Sequence, residues 1–247
     1  MKKELTNRQY KEIRALIERG SARKKTGLFT GEGERFFEEI PESLIETVVV
    51  SGTYHEKHPD TDAYVLNDEA YRKLCDTKHP QGILAVIKKP ETGKEAGISF
   101  GNDEGTAVVL EGIQDPGNLG TIIRTAEAAG AACVIMDRNT ADIYSPKVVR
   151  STMGSIFRVP FFYTDDLKET LTGFQKRGIK LYAADLSGED MRGITLEKKR
   201  AFVIGNEGAG LSKEISDLCD RKIRIPMKGK VESLNAAVAA ALLMYLE

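Results

Sequence analysis

The most informative segment of the chain is rich in turns and lies near its end: Ile223-Arg224-Ile225-Pro226-Met227-Lys228-Gly229-Lys230-Val231-Glu232-Ser233-Leu234-Asn235. It joins an extended run, a Pro-Met-x-Gly turn and a Ser-Leu-Asn helix start, and an apolar helix follows it. Two earlier segments have the same character: Asp115-Pro116-Gly117-Asn118-Leu119-Gly120-Thr121-Ile122-Ile123-Arg124 and Gly205-Asn206-Glu207-Gly208-Ala209-Gly210-Leu211-Ser212. Each of the three lies where a strand gives way to a loop or a helix.

The second half of the chain alternates apolar strands with helices. Near-continuous apolar strands of this kind indicate a parallel sheet covered on both faces, and ligands bind such sheets at the carboxyl ends of the strands. All three segments fall at such ends. The predicted strands are Ala107–Leu110, Ala132–Met136, Ile179–Ala184, Ala201–Ile204 and Lys222–Ile225. The predicted helices are Leu119–Ala129, Pro146–Thr152, Leu167–Lys176, Lys213–Leu218 and Leu234–Leu246.

The first 90 residues also alternate helix and strand, which predicts a separate small α/β domain. The segment that follows is polar and rich in glycine, as linkers are. We therefore expect a small domain over 1–90, a linker over 91–105 and a larger domain over 106–247.

Bulk composition limits the possible settings. The 247 residues carry a formal net charge of −1, and no apolar run approaches the roughly 20 residues of a membrane helix. The N-terminus is charged, which argues against a secretory leader. The three scattered cysteines lack the spacing of a metal site, so we expect no metal and a cytoplasmic location.

The beginning of the chain is basic. The first 25 residues hold nine lysines and arginines against three glutamates. Such an end can attract RNA phosphates, and Arg23, Lys24, Lys25 and Arg35 are the candidate RNA-binding residues. A solvated amphipathic helix explains the same pattern, and the sequence leaves both interpretations open.

Polar residues within the three segments have two interpretations each. Asn118 can cap a helix, and a capping role alone would explain why a serine is found at position 233. Arg124 lies in an otherwise apolar or small segment, so it either has a structural partner or faces an anion, and arginine suits phosphate. The 205–210 segment has neither the GxGxxG spacing nor the Lys-Ser/Thr of a phosphate loop, and on its own it fits a tight turn.

Taken together and in this order, the three segments resemble the three motifs of the SpoU–TrmH family of RNA ribose methyltransferases. The resemblance covers about Thr106 to Glu247. The first domain looks like the small ribosomal-protein-like domain that many members carry, through its basic start, Phe29, Glu32-Gly33 and the segment Pro80–Ala85. One departure is Ala236, where many members have valine.

The resemblance implies a trefoil-knotted α/β methyltransferase domain, preceded by a small α/β RNA-binding domain. It also implies a homodimer formed through the methyltransferase domain and S-adenosylmethionine as methyl donor. By motif matching, the backbone at Gly205, Ile225 and Leu234 would hold the donor. The matched residues of the reaction centre are Asn118, Arg124, Glu207, Ser233 and Asn235.

The expected reaction is methylation of a ribose 2′-hydroxyl, a weak nucleophile that must be aligned with the methyl group. Arg124 would hold a phosphate and stabilise developing alkoxide, since arginine is almost never deprotonated. Glu207 could accept a proton or orient a neighbour. Large-subunit ribosomal RNA is the preferred substrate and transfer RNA the alternative. A non-catalytic RNA-binding protein and an ordinary nucleotide-binding α/β enzyme are the rivals from other classes.

Overall fold

The computed structural model describes residues 3–90, 100 and 104–246. These residues form two compact units, and most of the predicted linker over 91–105 lies outside the described residues. The small unit consists of residues 3–90 together with 142–157, and the large unit consists of the remaining described residues. Among the described residues, no helix is both long and apolar enough to cross a bilayer.

The small unit is built on a four-stranded sheet. Its elements in chain order are α1 (Asn7–Glu18), α2 (Gly20–Thr26), β1 (Leu28–Glu32), α3 (Glu34–Phe37), a 3₁₀ turn (Glu42–Leu44), β2 (Ile45–Ser51), α4 (Gly52–Lys57), β3 (Tyr64–Leu66), α5 (Asp68–Leu74) and β4 (Ile83–Lys88). The strand order is β1-β4-β2-β3; β4 pairs antiparallel with both neighbours, and β2 pairs parallel with β3.

Two helices hold this sheet in different ways. Helix α1 begins with a capping box, in which Thr6 and Gln9 each satisfy the other's backbone N–H. Its buried residues Ile13 and Leu16 pack with apolar residues of the sheet, including Val49 and Leu84. The other helix, α7 (Pro146–Thr152), comes from much later in the chain and packs on β1.

The large unit is a six-stranded parallel sheet with helices. Its remaining elements are β5 (Gly105–Leu110), α6 (Pro116–Ala128), β6 (Cys133–Met136), β7 (Phe161–Tyr163), α8 (Leu167–Lys176), β8 (Lys180–Asp190), β9 (Lys199–Ile204), α9 (Lys213–Leu218), β10 (Arg221–Arg224) and α10 (Ala236–Met244). The strand order is β10-β8-β9-β5-β6-β7, and every pair is parallel. The predicted parallel α/β architecture is thus confirmed.

The central strands explain why the apolar runs are continuous. In β5, Ala107 to Leu110 are fully buried, and the facing residues of β6 and β9 are buried as well. Strands covered on both faces need apolar residues at every position. The sequence prediction omitted β7, because Phe161–Tyr163 is only three residues long and carries little pattern of its own.

Two helix starts differ from those predicted. Helix α6 begins at Pro116 rather than Leu119, because the Asp115 carboxylate caps it by accepting from the Asn118 N–H at 2.9 Å. Helix α10 begins at Ala236, and its cap is Asn235 rather than Ser233. The Asn235 side-chain oxygen accepts from the N–H groups of Ala237 and Val238 at 2.9 and 3.3 Å. The capping interpretations of Asn118 and Ser233 are therefore wrong.

Candidate active site

The three sequence segments meet in the large unit. They follow the carboxyl ends of β5, β9 and β10, and one hydrogen-bond chain joins a residue from each. Asn235 Nδ2 donates to Asn118 Oδ1 at 2.8 Å. Asn118 Nδ2 in turn donates to Glu207 Oε1 at 3.0 Å. We call Asn235, Asn118 and Glu207 the amide–carboxylate chain.

Glu207 anchors this chain. Its Oε1 also accepts from the Asp115 N–H at 3.0 Å, and its Oε2 accepts from the Gln114 N–H at 3.2 Å. The Asn206 side chain adds a longer contact to Oε2 at 3.4 Å. Four N–H donors therefore occupy the carboxylate, so Glu207 is better placed to orient Asn118 than to accept a proton.

The protonation of Glu207 follows from these donors. Partial burial raises the pKa of the Glu207 carboxyl, but the hydrogen bonds from the Asn118 side chain and from backbone N–H groups outweigh it. The net pKa lies below the usual value for glutamate, so the group is ionised at neutral pH.

A clamp fixes the loop between β5 and α6. On one side, the buried Asp137 Oδ1 accepts from the Gly112 N–H at 2.9 Å and from the Thr140 hydroxyl at 2.7 Å. The Thr140 hydroxyl oxygen accepts from the Ile113 N–H at 3.3 Å. On the other side, Glu207 holds the next two N–H groups. The backbone that carries Asn118 is thus held from both sides.

A cleft of about 300 Å³ lies beside this chain, within the size range of small-molecule sites. All three predicted donor-binding residues, Gly205, Ile225 and Leu234, line it, and so do Glu207 and Ser233. Apolar side chains from β8, β9 and the 223–239 segment form much of the remaining wall.

The cleft has walls that suit the donor implied by the resemblance. The charged residues that line it are Asp185, Glu207 and Glu232, all acidic. Three carboxylates and an apolar wall fit a molecule with a positive sulfonium and an adenine ring. Burial raises the pKa of the Asp185 carboxyl, but hydrogen bonds from Ser216 and Ser187 lower that pKa by more. The net pKa therefore lies below the usual value for aspartate.

The backbone of the glycine-rich turn explains Gly205. A Cβ at this position would lie 2.2 Å from Gly210 C and Leu211 N, so a larger residue would displace the returning chain. The turn is closed by paired backbone hydrogen bonds between Asn206 and Gly210 at 3.0 and 2.9 Å. Gly210 has φ +69°, which favours glycine.

An interruption in the β8–β10 ladder forms another side of the cleft. Lys222 lies opposite Ala183, whereas the next residue, Ile223, lies opposite Glu189. Residues 184–188 therefore leave the ladder, and Asp185 and Leu186 line the cleft. The sequence analysis missed Asp185 and Asp137. Both follow the apolar part of a strand near its carboxyl end, which is the signal that could have identified them.

Arg124 lies outside the amide–carboxylate chain. It is exposed on α6, and no hydrogen bond or ion pair engages it within the part of the chain that the structure describes. Its neighbours Ile122, Ile123 and Ala126 are fully buried, so the arginine lies on the solvent side of a well-packed helix.

The four candidate RNA-binding residues divide into two groups. Lys24, Lys25 and Arg35 are exposed. Arg23 is 5% exposed, and its guanidinium bonds to Asp142 at 2.8 Å and to the Leu16 carbonyl at 2.6 Å. Because these partners hold it inside the small unit, the RNA-binding role predicted for Arg23 is wrong.

Burial raises the pKa of the Cys133 thiol to about 12, so this cysteine is a thiol at neutral pH. No group of three or more histidines, cysteines or carboxylates in the described residues has the arrangement of a metal site.

Comparisons with known proteins identify both units. A sequence model of the SpoU rRNA Methylase family matches residues 105–245, and a model of the MRM3-like substrate binding domain matches residues 7–85. The chain is 35% identical over 235 residues to 23S rRNA (guanosine(2553)-2′-O)-methyltransferase RlmP of Bacillus subtilis, covering 90% of this chain and 89% of that protein.

Solved structures agree over nearly the whole length. An AdoMet-bound rRNA methyltransferase from Sinorhizobium meliloti superposes with a TM-score of 0.83 at 31% identity, covering 98% of this chain and 95% of the other. The SpoU methyltransferase AviRb from Streptomyces viridochromogenes, in complex with AdoMet, gives a TM-score of 0.81 at 28% identity, covering 97% and 96%. The chain therefore belongs to the SpoU rRNA methylase family and is an S-adenosylmethionine-dependent RNA ribose 2′-O-methyltransferase.

Proposed function

We propose that the protein methylates a ribose 2′-hydroxyl in large-subunit ribosomal RNA. The observation that carries the proposal is the amide–carboxylate chain beside an acidic cleft that fits S-adenosylmethionine. The choice of ribosomal RNA is supported by RlmP, whose name gives a guanosine of 23S rRNA as its target. Transfer RNA is the second candidate, as a substrate of the same chemistry.

S-adenosylmethionine supplies the methyl group when it is bound, and the protein's part is to place the acceptor. Gly205, Ile225 and Leu234 would hold the donor through their backbone, since all three line the cleft. Ser233 lines the same cleft, and Asn235 caps the start of α10. We assign both of them to orienting the ribose hydroxyl through hydrogen bonds, because alignment supplies much of the rate in such a transfer.

Glu207 and Asn118 act as a unit in this proposal. The carboxylate holds the Asn118 side-chain amide, and Asn118 holds Asn235. Glu207 is therefore a positioning residue, because its oxygens already accept from four N–H groups.

Arg124 would bind a phosphate of the RNA next to the target ribose and stabilise negative charge on the oxygen. Its exposure and its lack of an internal ion pair among the described residues support this role. A guanidinium with five donors fits phosphate and stays protonated throughout the reaction.

The assembly is also part of the proposal. Val238 and Leu242 of α10 are 48% and 40% exposed, and Tyr245, which caps the end of the helix, is 61% exposed. An apolar stripe on a surface helix is typical of an interface, so we propose that a second copy of this chain covers it.

We also propose that the methyltransferase domain contains the trefoil knot. The chain returns from the edge strand β10 to pack α10 on α6 and β9, as a threaded segment requires.

The domain division and the location complete the proposal. The matches at 7–85 and 105–245 support domains over 1–90 and 106–247 joined by a linker over 91–105. A cytoplasmic enzyme fits a ribosomal substrate. Lys24, Lys25 and Arg35 remain proposed RNA-contacting residues because they are exposed and basic.

The test is a map of ribose methylation across total RNA from cells with and without the protein. We expect one site in large-subunit ribosomal RNA to disappear and to return with the wild-type gene but not with an Asn118→Ala variant. A site lost in transfer RNA would replace the substrate and keep the chemistry. No lost site under several growth conditions would favour a non-catalytic RNA-binding protein on the same fold.

A further inference from the structure

Two adjoining cavities lie in the small unit. One has a volume of about 600 Å³ and is bounded by α4, α5 and the loop before β4. The other, of about 560 Å³, is bounded by that loop, α3 and α7. Glu34, His79 and Gln81 line both, so the cavities adjoin. We call them the paired cavities.

The wall between the paired cavities is built by specific backbone geometry. Gly33 and Gly82 have φ of +103° and +97°, which favour glycine. A Cβ at Gly82 would lie 2.8 Å from Tyr54 Cβ, and one at Gly33 would lie 2.7 Å from the Gln81 side-chain oxygen. That oxygen accepts from the Glu34 N–H at 2.9 Å. The wall is therefore a shaped surface that larger residues would fill.

The basic side chains around the paired cavities differ in whether they already have a partner. Arg35, Lys57 and Lys78 are exposed, line one cavity or the other, and have no ion-pair partner among the residues the structure describes. Arg150 bonds to Asp76 through Nη2 at 2.9 Å, whereas its buried Nη1 has no hydrogen-bond partner in the described chain. These side chains offer donors that suit phosphate oxygens.

Of the three acidic residues in the same walls, Asp68 and Glu32 are already engaged, whereas Glu34 is exposed and lines both cavities. Asp68 accepts from the N–H and hydroxyl of Thr53 at 3.0 and 2.6 Å. Glu32 accepts from the Thr77 hydroxyl. Their carboxylates are thus partly satisfied within the unit, and the unengaged charges that face the cavities are mostly positive.

We propose that unpaired nucleotides of the RNA substrate bind across the paired cavities. The inference rests on the proposed function, since it names where that substrate contacts the small unit. Splayed bases enter concave polar sites, whereas an A-form helix presents a wide and shallow groove to a protein. Tyr54, whose ring stacks on His58 with 4.4 Å between centroids, lines one cavity and offers an aromatic surface to a base.

Exposed polar side chains between the two cavities can bind the edges of the bases. His79 and Gln81 lie where the cavities meet, and their side chains carry donors and acceptors suited to base edges. Lys24 and Lys25 on α2 line neither of the paired cavities. They add attraction for phosphates in general, which carries no preference between paired and unpaired RNA.

The test compares two double variants of the full-length protein that remove the same charge. Arg35→Ala with Lys78→Ala alters the paired cavities, and Lys24→Ala with Lys25→Ala is the matched control. The probes are a labelled single-stranded RNA of about twelve nucleotides and a duplex of equal length, measured by fluorescence anisotropy over a salt series. All four substituted side chains are exposed, so both variants should fold, and thermal melting checks this.

We expect the wild-type protein to bind the single strand more tightly than the duplex. The cavity variant should bind the single strand about tenfold more weakly and lose that preference, with a salt slope lower by about 1.4 for two phosphate contacts. The control variant should keep the preference. Photo-crosslinking of a 4-thiouridine single strand to the wild-type protein should label residues of the paired cavities, including Tyr54 or His79.

Three results would overturn the inference: equal single-strand binding by the cavity variant and the wild type, crosslinks confined to other surfaces, or no single-strand binding by the wild type. Because binding is measured without methyl transfer, the outcome is separate from that of the methylation map. If the methylation map shows a lost site in ribosomal RNA but the crosslinks lie outside the paired cavities, only this inference is rejected. If the crosslinks lie in the paired cavities but the map shows no lost site, only the proposed substrate is rejected.

Discussion

Replacing Asn118 with aspartate should disable the active site through charge rather than through loss of shape. The Asn118 side-chain nitrogen lies 3.0 Å from Glu207 Oε1 and donates to it. In Asn118→Asp a carboxylate oxygen takes the place of that donor, and two negative charges face each other. Asn118 is the third residue of α6, where negative charge favours the helix dipole, so we do not expect the variant to unfold.

The size of the effect follows from the distance. Two unit charges 3.0 Å apart repel by about 1.4 kcal/mol at a dielectric of ~80 and about 5.5 kcal/mol at ~20. Because Glu207 is exposed, we take the lower half of this range, about 1.5–3 kcal/mol. If the side chains must stay in place for transfer, kcat falls by about 10- to 150-fold at pH 8.

The repulsion also predicts a pH dependence with a definite sign. Close carboxylates raise the pKa of one member of the pair, so a shared proton relieves the repulsion as pH falls. The ratio of variant to wild-type kcat should therefore rise between pH 8 and pH 6. The control Asn118→Ala loses both hydrogen bonds without adding charge, and its ratio should stay constant across the same range.

The assay is transfer of a tritiated methyl group to ribosomal RNA taken from cells that lack the protein. Calorimetry of S-adenosylmethionine binding and thermal melting are measured on the same preparations. If the kcat of Asn118→Asp at pH 8 equals that of the wild type, the repulsion between the two carboxylates does not limit transfer and the prediction is refuted. A variant ratio that does not change with pH while donor binding and melting remain normal would also refute it.

Three further predictions test other parts of the site. Arg124→Ala should abolish methylation with donor affinity unchanged in calorimetry, and a loss of donor binding would contradict its assignment to the RNA phosphate. Asp137→Ala leaves the Gly112 N–H unpaired and should lower the free energy of unfolding by about 1–3 kcal/mol, which corresponds to a fall in Tm of about 2–10 °C. We expect kcat to fall as well. A lower Tm with full kcat in the folded fraction would show that the clamp has only a structural role. Leu242→Asp should convert a dimer to monomers in light scattering, and a monomeric wild type would reject the proposed interface.

Some of the residues selected by motif meet in the structure, whereas the local structure around them differs from the prediction. Asn118, Glu207 and Asn235 were selected by motif, and the structure brings them into one hydrogen-bonded chain. The two helix starts were wrong because Asp115 and Asn235 were competing caps in the same segments. Several residues in each segment can cap, and sequence alone does not rank them.

Arg23 shows a different limit. A cluster of basic residues at the chain start fits RNA binding, and Lys24 and Lys25 are indeed exposed. Arg23 instead points inward to Asp142, a residue 119 positions away. No local pattern carries that information, because the partner comes from the 142–157 segment that packs in the small unit.

The class of fold can be read from the sequence, because continuous apolar strands between helices indicate a parallel sheet with both faces covered. The need for glycine at position 205 follows from the folded chain, where any side chain would meet the returning backbone. The tertiary structure also sets which polar groups meet. Asn235 reaches Asn118 across 117 positions, and Asn118 reaches Glu207 across 89. Such contacts depend on the order and register of strands, which are properties of the whole sheet and not of any one segment.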